Sequence, residues 1–176
     1  MRRHIQHYIH RHEPKGAFAN HLKSGLGAMV AMIAVGGLAA FTGLPLLIAP
    51  FGASAVLLFG QPKSPLAQPA NVFGGYLVAL SVASLCLLIF PTSWPFAALA
   101  VGLAIAAMAM LRVTHPPAGA VPLVAFASNI GIPTLFAVVI IVSVVMIAIA
   151  VVVHRIPPRH PYPLPAPAPA PEPSQN

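Results

Sequence analysis

Six apolar runs, separated by short breaks, follow a polar stretch at the start of the chain. They cover residues 26–43, 44–60, 72–91, 96–111, 115–128 and 134–153. The third and sixth runs hold about 20 residues, which at about 1.5 Å per residue matches the roughly 30 Å of hydrocarbon in a bilayer. The pattern predicts an all-α integral membrane protein with about six short transmembrane helices.

Prolines interrupt the second and fifth runs. Pro45 and Pro50 lie in the second run, and Pro116, Pro117 and Pro122 lie in the fifth. Proline lacks a backbone donor and clashes with the preceding helical turn. Unpaired backbone groups are costly in lipid, so we expect both helices to be broken there, with the breaks facing protein or water.

The composition supports a membrane protein and restricts its chemistry. Hydrophobic residues make up 58% of the 176 residues and charged residues only 6%, against roughly 25% in soluble domains. The two acidic residues, Glu13 and Glu172, lie near the ends. This excludes an Asp/Glu acid–base pair, a carboxylate metal site and a carboxylate proton relay from the apolar region. We therefore expect neither an enzyme nor a bound cofactor.

The positive charge has a defined location along the chain. Every Lys and Arg falls in the head, in the 61–71 loop, at Arg112 or after the sixth run, at Arg155 and Arg159, and these places share one side if all six runs cross. The positive-inside rule then puts both termini in the cytoplasm. If the two broken runs re-enter instead, four spans remain and Lys63 moves to the other side. We favour six crossings, in a bacterial inner (plasma) membrane.

The same bias indicates contact with an anionic lipid surface rather than with nucleic acid. A chain of this length also allows self-association into a homo-oligomer that completes a pore. The expected partners are therefore the lipid bilayer, a small anion and a second copy of the chain.

Residues 1–24 form a basic, His-rich head. Ile5, Tyr8 and Ile9 have helical spacing, which is typical of a short amphipathic helix on the membrane surface. A metal site is the alternative interpretation, because four histidines lie here: His4, His7, His10 and His12. We favour a basic, partly disordered head without metal, since no Cys or acid joins the cluster.

Residues 156–176 are rich in proline and predict a disordered cytoplasmic tail with polyproline II character. A solvated spacer is the simpler interpretation. The alternative is a Pro-x-x-Pro ligand that recruits a partner protein.

The two broken runs share a motif. Pro50-Phe51-Gly52-Ala53 precedes Phe59, and Pro117-Ala118-Gly119-Ala120 precedes Phe126. Both read Pro-x-Gly-Ala-x5-Phe, at an offset of 67 residues. The same offset carries the first run onto the fourth and the third onto the sixth.

The offset predicts two repeats of span, broken span and span, at about 25–91 and about 92–155. Three crossings per copy make the copies inverted, an arrangement that recurs in transporters with the binding site near the midplane. The helix starts at Pro50 and Pro117 would then face each other and favour an anion. The alternative is that these small residues serve close helix packing.

Two further stripes of small residues are assigned to such packing. They are Gly75, Ala79 and Ala83 in the third run, and Ala98, Gly102 and Ala106 in the fourth.

The candidate binding residues come from the broken runs and the loop between the second and third runs. They are Pro50, Phe51, Gly52, Ala53, Ser54, Lys63, Asn71, Thr114, His115, Pro116, Pro117, Gly119 and Ala120. Ser54 and Thr114 can donate to a small anion. His115 either caps a helix start or contacts substrate and takes up a proton, since its ordinary pKa is about 6.5.

Two loop residues have alternatives of their own. Lys63 either snorkels to the interface or attracts anions to the mouth of the site. Asn71 either caps the third helix or binds substrate.

Three segments, 49–55, 62–75 and 114–120, together resemble the HPP family of integral membrane proteins, which is named for the motif found here as His115-Pro116-Pro117. The resemblance implies a multi-span membrane fold, usually described with four helices against our six. Some plant and cyanobacterial members are linked to nitrite transport, and some carry CBS domains. An Arg often precedes the Asn-Val pair in this family, where this chain has Ala70.

These observations predict a transporter or channel for a small inorganic anion, with nitrite as the candidate that the resemblance supplies. Substrate would lie near the midplane between the two helix starts. The alternative is a non-transporting membrane scaffold or regulatory subunit that recruits a partner through its Pro-rich tail.

Overall fold

A computed structural model describes residues 8–11, 13 and 15–166, and this part of the chain contains helices and no strand. Six α-helices follow one another in residues 15–166: α1 (Phe18–Thr42), α2 (Ala49–Ala55), α3 (Pro69–Ile89), α4 (Trp94–Met110), α5 (Val121–Ala127) and α6 (Ile132–Arg155). A π-helical turn, Val56–Gly60, extends α2. Short 3-10 helices, Pro65–Ala67 and Pro116–Ala120, precede α3 and α5. The all-helical prediction is confirmed.

Three of these helices are long and apolar enough to cross a membrane. They are α1, α3 and α6, with 25, 21 and 24 residues. The segments Ala49–Gly60, Trp94–Met110 and Pro116–Ala127 are apolar but shorter. Twelve helical residues reach only about 18 Å, so the first and last of these segments need the extended residues before them to approach the bilayer thickness.

The segment from Leu47 to Phe59 runs antiparallel to α1. A methyl group at Gly27 would lie 2.8 Å from the Phe59 ring, and one at Gly36 would lie 3.4 Å from Leu47. Glycine at position 27 is therefore needed for the close approach of the two segments. The chain reaches the bundle's far end at Gly43 and returns through α2.

One end of the bundle collects the cations. The Lys23 ammonium donates to the carbonyl of Ile156 at 2.7 Å and to that of Pro158. Lys63 lines a cavity of about 510 Å³ together with His21 and His160. Arg112 follows the end of α4 and precedes the turn that contacts the start of α3. We refer to this region as the basic end.

Residues 156–164 form a C-terminal strap that packs against the 61–68 loop at the basic end. The buried Tyr162 hydroxyl donates to the carbonyl of Ala67 at 3.1 Å. The amide of Leu164 donates to the side-chain oxygen of Gln68 at 2.9 Å. The sequence led us to expect disorder from Ile156 onward, and this part differs because Tyr162 supplies a buried anchor. The predicted tail beyond residue 166 lies outside the described residues.

The strap carries a histidine whose protonation opposes folding. Burial, followed by the positive charges of Lys23 and Lys63, lowers the pKa of His160. The folded protein then binds this proton more weakly than the unfolded chain, so stability is present above about pH 6.5 and lost as pH falls. We expect the Tm of the detergent-purified protein to fall on acidification, and to fall less in His160→Asn. An equal fall in both proteins would contradict this assignment.

The two stripes of small residues differ in their packing. Gly75, Ala79 and Ala83 are buried, in agreement with the prediction. Ala98, Gly102 and Ala106 are exposed in the single chain, and α4 instead buries the adjacent stripe, Ala97, Ala100, Ala104 and Met108. The prediction for the α4 stripe was wrong because alanine dominates the helix and spacing alone does not select its inner face.

The head is only partly described. Tyr8 and Ile9 are helical and exposed, whereas Ile5, His4, His7 and His12 lie outside the described residues, so the amphipathic helix stays a prediction. Within the part that is described, no three His, Cys, Asp or Glu side chains are grouped to hold a metal ion.

Candidate functional site

Three buried side chains from separate parts of the chain form one hydrogen-bond chain. The Ser54 hydroxyl lies 2.7 Å from the Tyr76 hydroxyl and 2.7 Å from Nε2 of His115. Nδ1 of His115 lies 2.8 Å from the carbonyl oxygen of Leu66. All three side chains have 0% exposure. Buried polar groups in a membrane domain are costly, and an ionisable side chain such as His115 makes this position a candidate functional site.

Each partner is positioned by a different element. Ser54 lies in α2, and Tyr76 lies in α3, about 10 Å along the helix axis from its first residue. His115 is the extended residue immediately before the 3-10 helix that Pro116 begins. The Leu66 carbonyl comes from the short 3-10 helix in the loop before α3. The site therefore joins both proline-containing segments to α3.

While His115 is neutral, chemistry fixes the direction of every hydrogen bond in this chain. A carbonyl oxygen only accepts, so Nδ1 of His115 carries the proton donated to Leu66. In a neutral imidazole the other nitrogen then accepts, so Ser54 donates to Nε2. The single Ser54 proton is thereby used, and Tyr76 must donate to Ser54. The chain runs from Tyr76 through Ser54 to His115.

Aromatic contacts and a glycine hold this geometry. The Tyr76 ring packs between Phe51, with centroids 5.0 Å apart, and His115, with centroids 5.3 Å apart. Gly75 faces the turn before His115: a methyl group there would lie 2.7 Å from Cβ of His115 and 2.8 Å from the carbonyl oxygen of Val113. Only glycine allows α3 to approach the turn this closely.

The predicted residues divide into an inner and an outer group. Pro50, Phe51, Ser54, His115 and Pro117 are buried around the hydrogen-bond chain or beside it. The outer group is exposed or half-buried and comprises Gly52, Ala53, Lys63, Asn71, Thr114, Pro116, Gly119 and Ala120.

The two proline-containing segments do meet. Helix α2 contacts the 3-10 helix Pro116–Ala120 directly. However, the Phe51 amide donates to the carbonyl of Ile48 and the Ala118 amide donates to that of His115. Gly52 borders a groove beside Met29 of α1, away from His115. The sequence predicted that free backbone amides at both helix starts surround one anion. In the structure, the Phe51 and Ala118 amides are instead used in local hydrogen bonds.

The loop residues have roles that differ from those expected. The Asn71 amide nitrogen donates to the carbonyl of Thr114 at 3.0 Å, which ties the start of α3 to the turn before His115. Helix α3 begins two residues earlier, at Pro69, so Asn71 does not cap it. Lys63 is exposed at the basic end, where it borders the cavity that also contains Ser64.

Sequence reasoning missed Tyr76 and the Leu66 carbonyl. Tyr76 did carry a signal, because it is the single tyrosine within the six apolar runs and a buried tyrosine hydroxyl usually has a partner. A backbone carbonyl carries no signal in the residue types. A second buried histidine, His154, donates from Nε2 to the carbonyl of Leu58 at 2.8 Å, and its Nδ1 has no partner among the described residues.

Two transmembrane proteins of Dictyostelium discoideum are similar, one 45% identical over 82 residues and the other 42% identical over 85 residues. These matches cover 44% and 46% of this chain and only 26% and 30% of the relatives. No solved structure matches.

The family described as "HPP, transmembrane region" matches residues 13–163. This stretch includes helices α1 to α6 and the whole hydrogen-bond chain. The resemblance drawn from the sequence motifs is thereby confirmed, and the chain belongs to the HPP transmembrane family.

Proposed function

We propose that the protein transports a small inorganic anion across the membrane, with nitrite as the candidate substrate. The observation that carries this proposal is the buried chain of Tyr76, Ser54 and His115 where the two proline-containing segments meet. The site is neutral and contains no carboxylate, so an anion approaching it meets no like charge.

The charge distribution of the whole chain supports the same substrate class. The basic end offers Lys63, Arg112 and the cations beside the strap. The cavity there is the natural mouth, and its lining includes one acidic residue, Glu13, beside Lys63 and two histidines. Positive charge at a mouth concentrates anions. The positive-inside rule assigns this end to the cytoplasm, with both termini on that side and six crossings.

The inverted repeat is part of this proposal. Segment 49–60 runs toward the basic end. Segment 116–127 begins near the basic end and runs away from that end. Two short segments of opposite direction meeting inside a membrane domain are typical of transporters that alternate access around a central site. All three polar side chains are buried, so entry of an anion requires these segments to move apart.

Nitrite flux into proteoliposomes tests the function. We expect the purified protein to accelerate nitrite uptake over protein-free vesicles, and His115→Ala to reduce this flux at least about tenfold. Gly119→Leu places a large side chain against Ile105, where a methyl group would already be 3.7 Å away, and is expected to reduce flux as well.

Gly102→Leu is the matched control, because a methyl group at Gly102 meets nothing within 4 Å. Its flux should equal that of the wild type. Flux that is unchanged by both His115→Ala and Gly119→Leu would remove the proposed site, and no flux above protein-free vesicles would remove nitrite transport.

The contacts of the strap argue against the scaffold alternative for residues 156–164. Tyr162 and Leu164 are bound to the 61–68 loop, so this part of the Pro-rich segment is not a free peptide ligand. A recruitment role would depend on residues beyond 166. Deleting residues 167–176 should then abolish partner binding and leave nitrite flux unchanged.

A further inference from the structure

We propose that Tyr76, Ser54 and His115 form a proton-loading chain, through which the protein moves one proton together with each monovalent anion. The inference rests on the proposed anion transport and names its coupling ion. It follows from the hydrogen positions that the geometry imposes, not from any one distance.

In the neutral state the chain has no proton to offer an anion. Tyr76 donates to Ser54, Ser54 donates to Nε2 of His115, and Nδ1–H donates to the Leu66 carbonyl. Every polar hydrogen is committed. The free lone pair on the Tyr76 oxygen is an acceptor, which repels an anion and can receive a proton. The neutral chain therefore rejects an anion as it stands.

Adding one proton reverses the direction of the two hydrogen bonds that Ser54 forms with Tyr76 and His115. A hydronium ion gives one proton to the Tyr76 oxygen and becomes water; the former Tyr76 proton passes to Ser54, and the former Ser54 proton passes to Nε2 of His115. The O–H bonds broken at Tyr76 and Ser54 are each replaced by a new one, and one N–H bond forms. His115 now carries a positive charge and donates to Ser54, while Ser54 donates to Tyr76. The Tyr76 O–H now points away from Ser54 and can donate to an anion.

Proton and anion therefore bind cooperatively. A buried imidazolium without a counter-charge is costly, and a buried anion is costly too. Together they form a pair with zero net charge, in which the released Tyr76 hydroxyl and the cation both favour the anion. Among the described residues, Ser54 and Tyr76 are the side chains that form a hydrogen bond or a ring contact with His115; the Leu66 carbonyl accepts from Nδ1, and Gly75 lies against Cβ of His115. Tyr76 alone among these groups titrates, so no neighbouring carboxylate supplies the counter-charge.

Membrane potential distinguishes this mechanism from simple anion permeation. We expect nitrite uptake by wild-type proteoliposomes to be unchanged when a potassium gradient with valinomycin sets the membrane potential. An entrapped pH dye should report acidification that matches nitrite entry one to one, after subtraction of protein-free vesicles. Nitrite flux that follows the potential and moves no protons would overturn the proton-loading chain and leave anion transport standing. Absence of any nitrite flux would instead overturn the proposed function.

Two variants break the chain at different points. Tyr76→Phe keeps the ring contacts with Phe51 and His115 but removes the hydroxyl, and Ser54→Ala separates Tyr76 from His115. Both should lose proton-linked nitrite uptake at least about tenfold. Tyr162→Phe is the matched control, since it removes a buried tyrosine hydroxyl that bonds Ala67 outside the chain; its proton-to-nitrite ratio should stay at one.

Imidazole ¹⁵N spectra give a readout that needs no transport. In the purified wild type without nitrite, His115 should show the neutral form with its proton on Nδ1. Sodium nitrite should raise the pH at which His115 becomes protonated, and Tyr76→Phe should abolish this shift. A His115 titration that nitrite leaves unchanged in the wild type would refute the inference even if every variant failed to fold.

Discussion

Replacing Gly75 by valine is expected to destabilise the protein by about 3 kcal/mol. The first atom of the new side chain would lie 2.7 Å from Cβ of His115 and 2.8 Å from the carbonyl oxygen of Val113. Neither is the end of a flexible side chain, so α3 or the turn must move. Such movement also pulls His115 from Ser54 and Leu66, and each of these hydrogen bonds contributes about 1 kcal/mol.

Gly102→Val provides the comparison. It adds the same atoms to a helix at an exposed position, where a methyl group meets nothing within 4 Å, and should shift stability by less than about 0.5 kcal/mol. Gly74→Ala is an intermediate case, since its methyl group would lie 3.1 Å from Cγ1 of Val113, a side-chain atom that can shift slightly.

Thermal unfolding in detergent checks the series. For a protein of this size about 3 kcal/mol corresponds to a Tm decrease of roughly 6–12 °C. A Tm for Gly75→Val within 2 °C of the value for Gly102→Val would contradict the close approach of α3 to the turn.

The apolar runs predicted most of the helices, but they did not predict the residues at which the helices begin and end. Runs 72–91 and 134–153 lie within a few residues of α3 and α6. The first helix starts at Phe18, eight residues before its predicted run, because Lys23 belongs to the helix and its ammonium reaches the strap carbonyls. A polar residue satisfied by a distant backbone group cannot be distinguished from a loop residue by its type alone.

For a related reason, the sequence predicted only some of the residues of the candidate site. Ser54 and His115 stood out as polar residues in or beside broken apolar runs, and they are hydrogen-bonded to each other. The third member, Tyr76, comes from an unbroken run, and its rotation about the helix axis decides whether it meets Ser54 or lipid. That rotation depends on Gly75 packing against Val113, a contact between residues 38 positions apart. Residue types specify which groups need partners, whereas the tertiary approach decides which partners they obtain.

Ser54→Ala is expected to lower the free energy of unfolding by about 2 kcal/mol. The substitution leaves the Tyr76 proton and Nε2 of His115 buried without partners, and each unpaired group costs about 1–3 kcal/mol. Hydrogen bonds within membrane proteins fall at the lower end, about 0.6–2 kcal/mol. Equilibrium unfolding of the detergent-purified protein measures this loss.

Ser143→Ala is the matched control for the same substitution. Ser143 is buried in α6, and its hydroxyl has no hydrogen-bond partner in the described part of the chain. Removing an unpaired buried hydroxyl relieves its desolvation, so Ser143→Ala should be neutral or stabilising by up to about 1 kcal/mol. A loss as large as that of Ser54→Ala would show that the cost comes from shortening a buried serine and not from the hydrogen-bond chain.

The double variant Ser54→Ala/Tyr76→Phe tests whether the three groups act as a unit. Tyr76→Phe alone removes one hydrogen bond, at a cost of about 1 kcal/mol, because Ser54 still donates to His115. Once Ser54 is absent, the Tyr76 hydroxyl is an unpaired donor, and removing it should restore about 1 kcal/mol. The double variant should therefore be more stable than the sum of the single losses predicts, by about 2 kcal/mol. Simple additivity would mean that Tyr76 and Ser54 are not directly bonded, and the fixed direction of the chain toward His115 would have no basis.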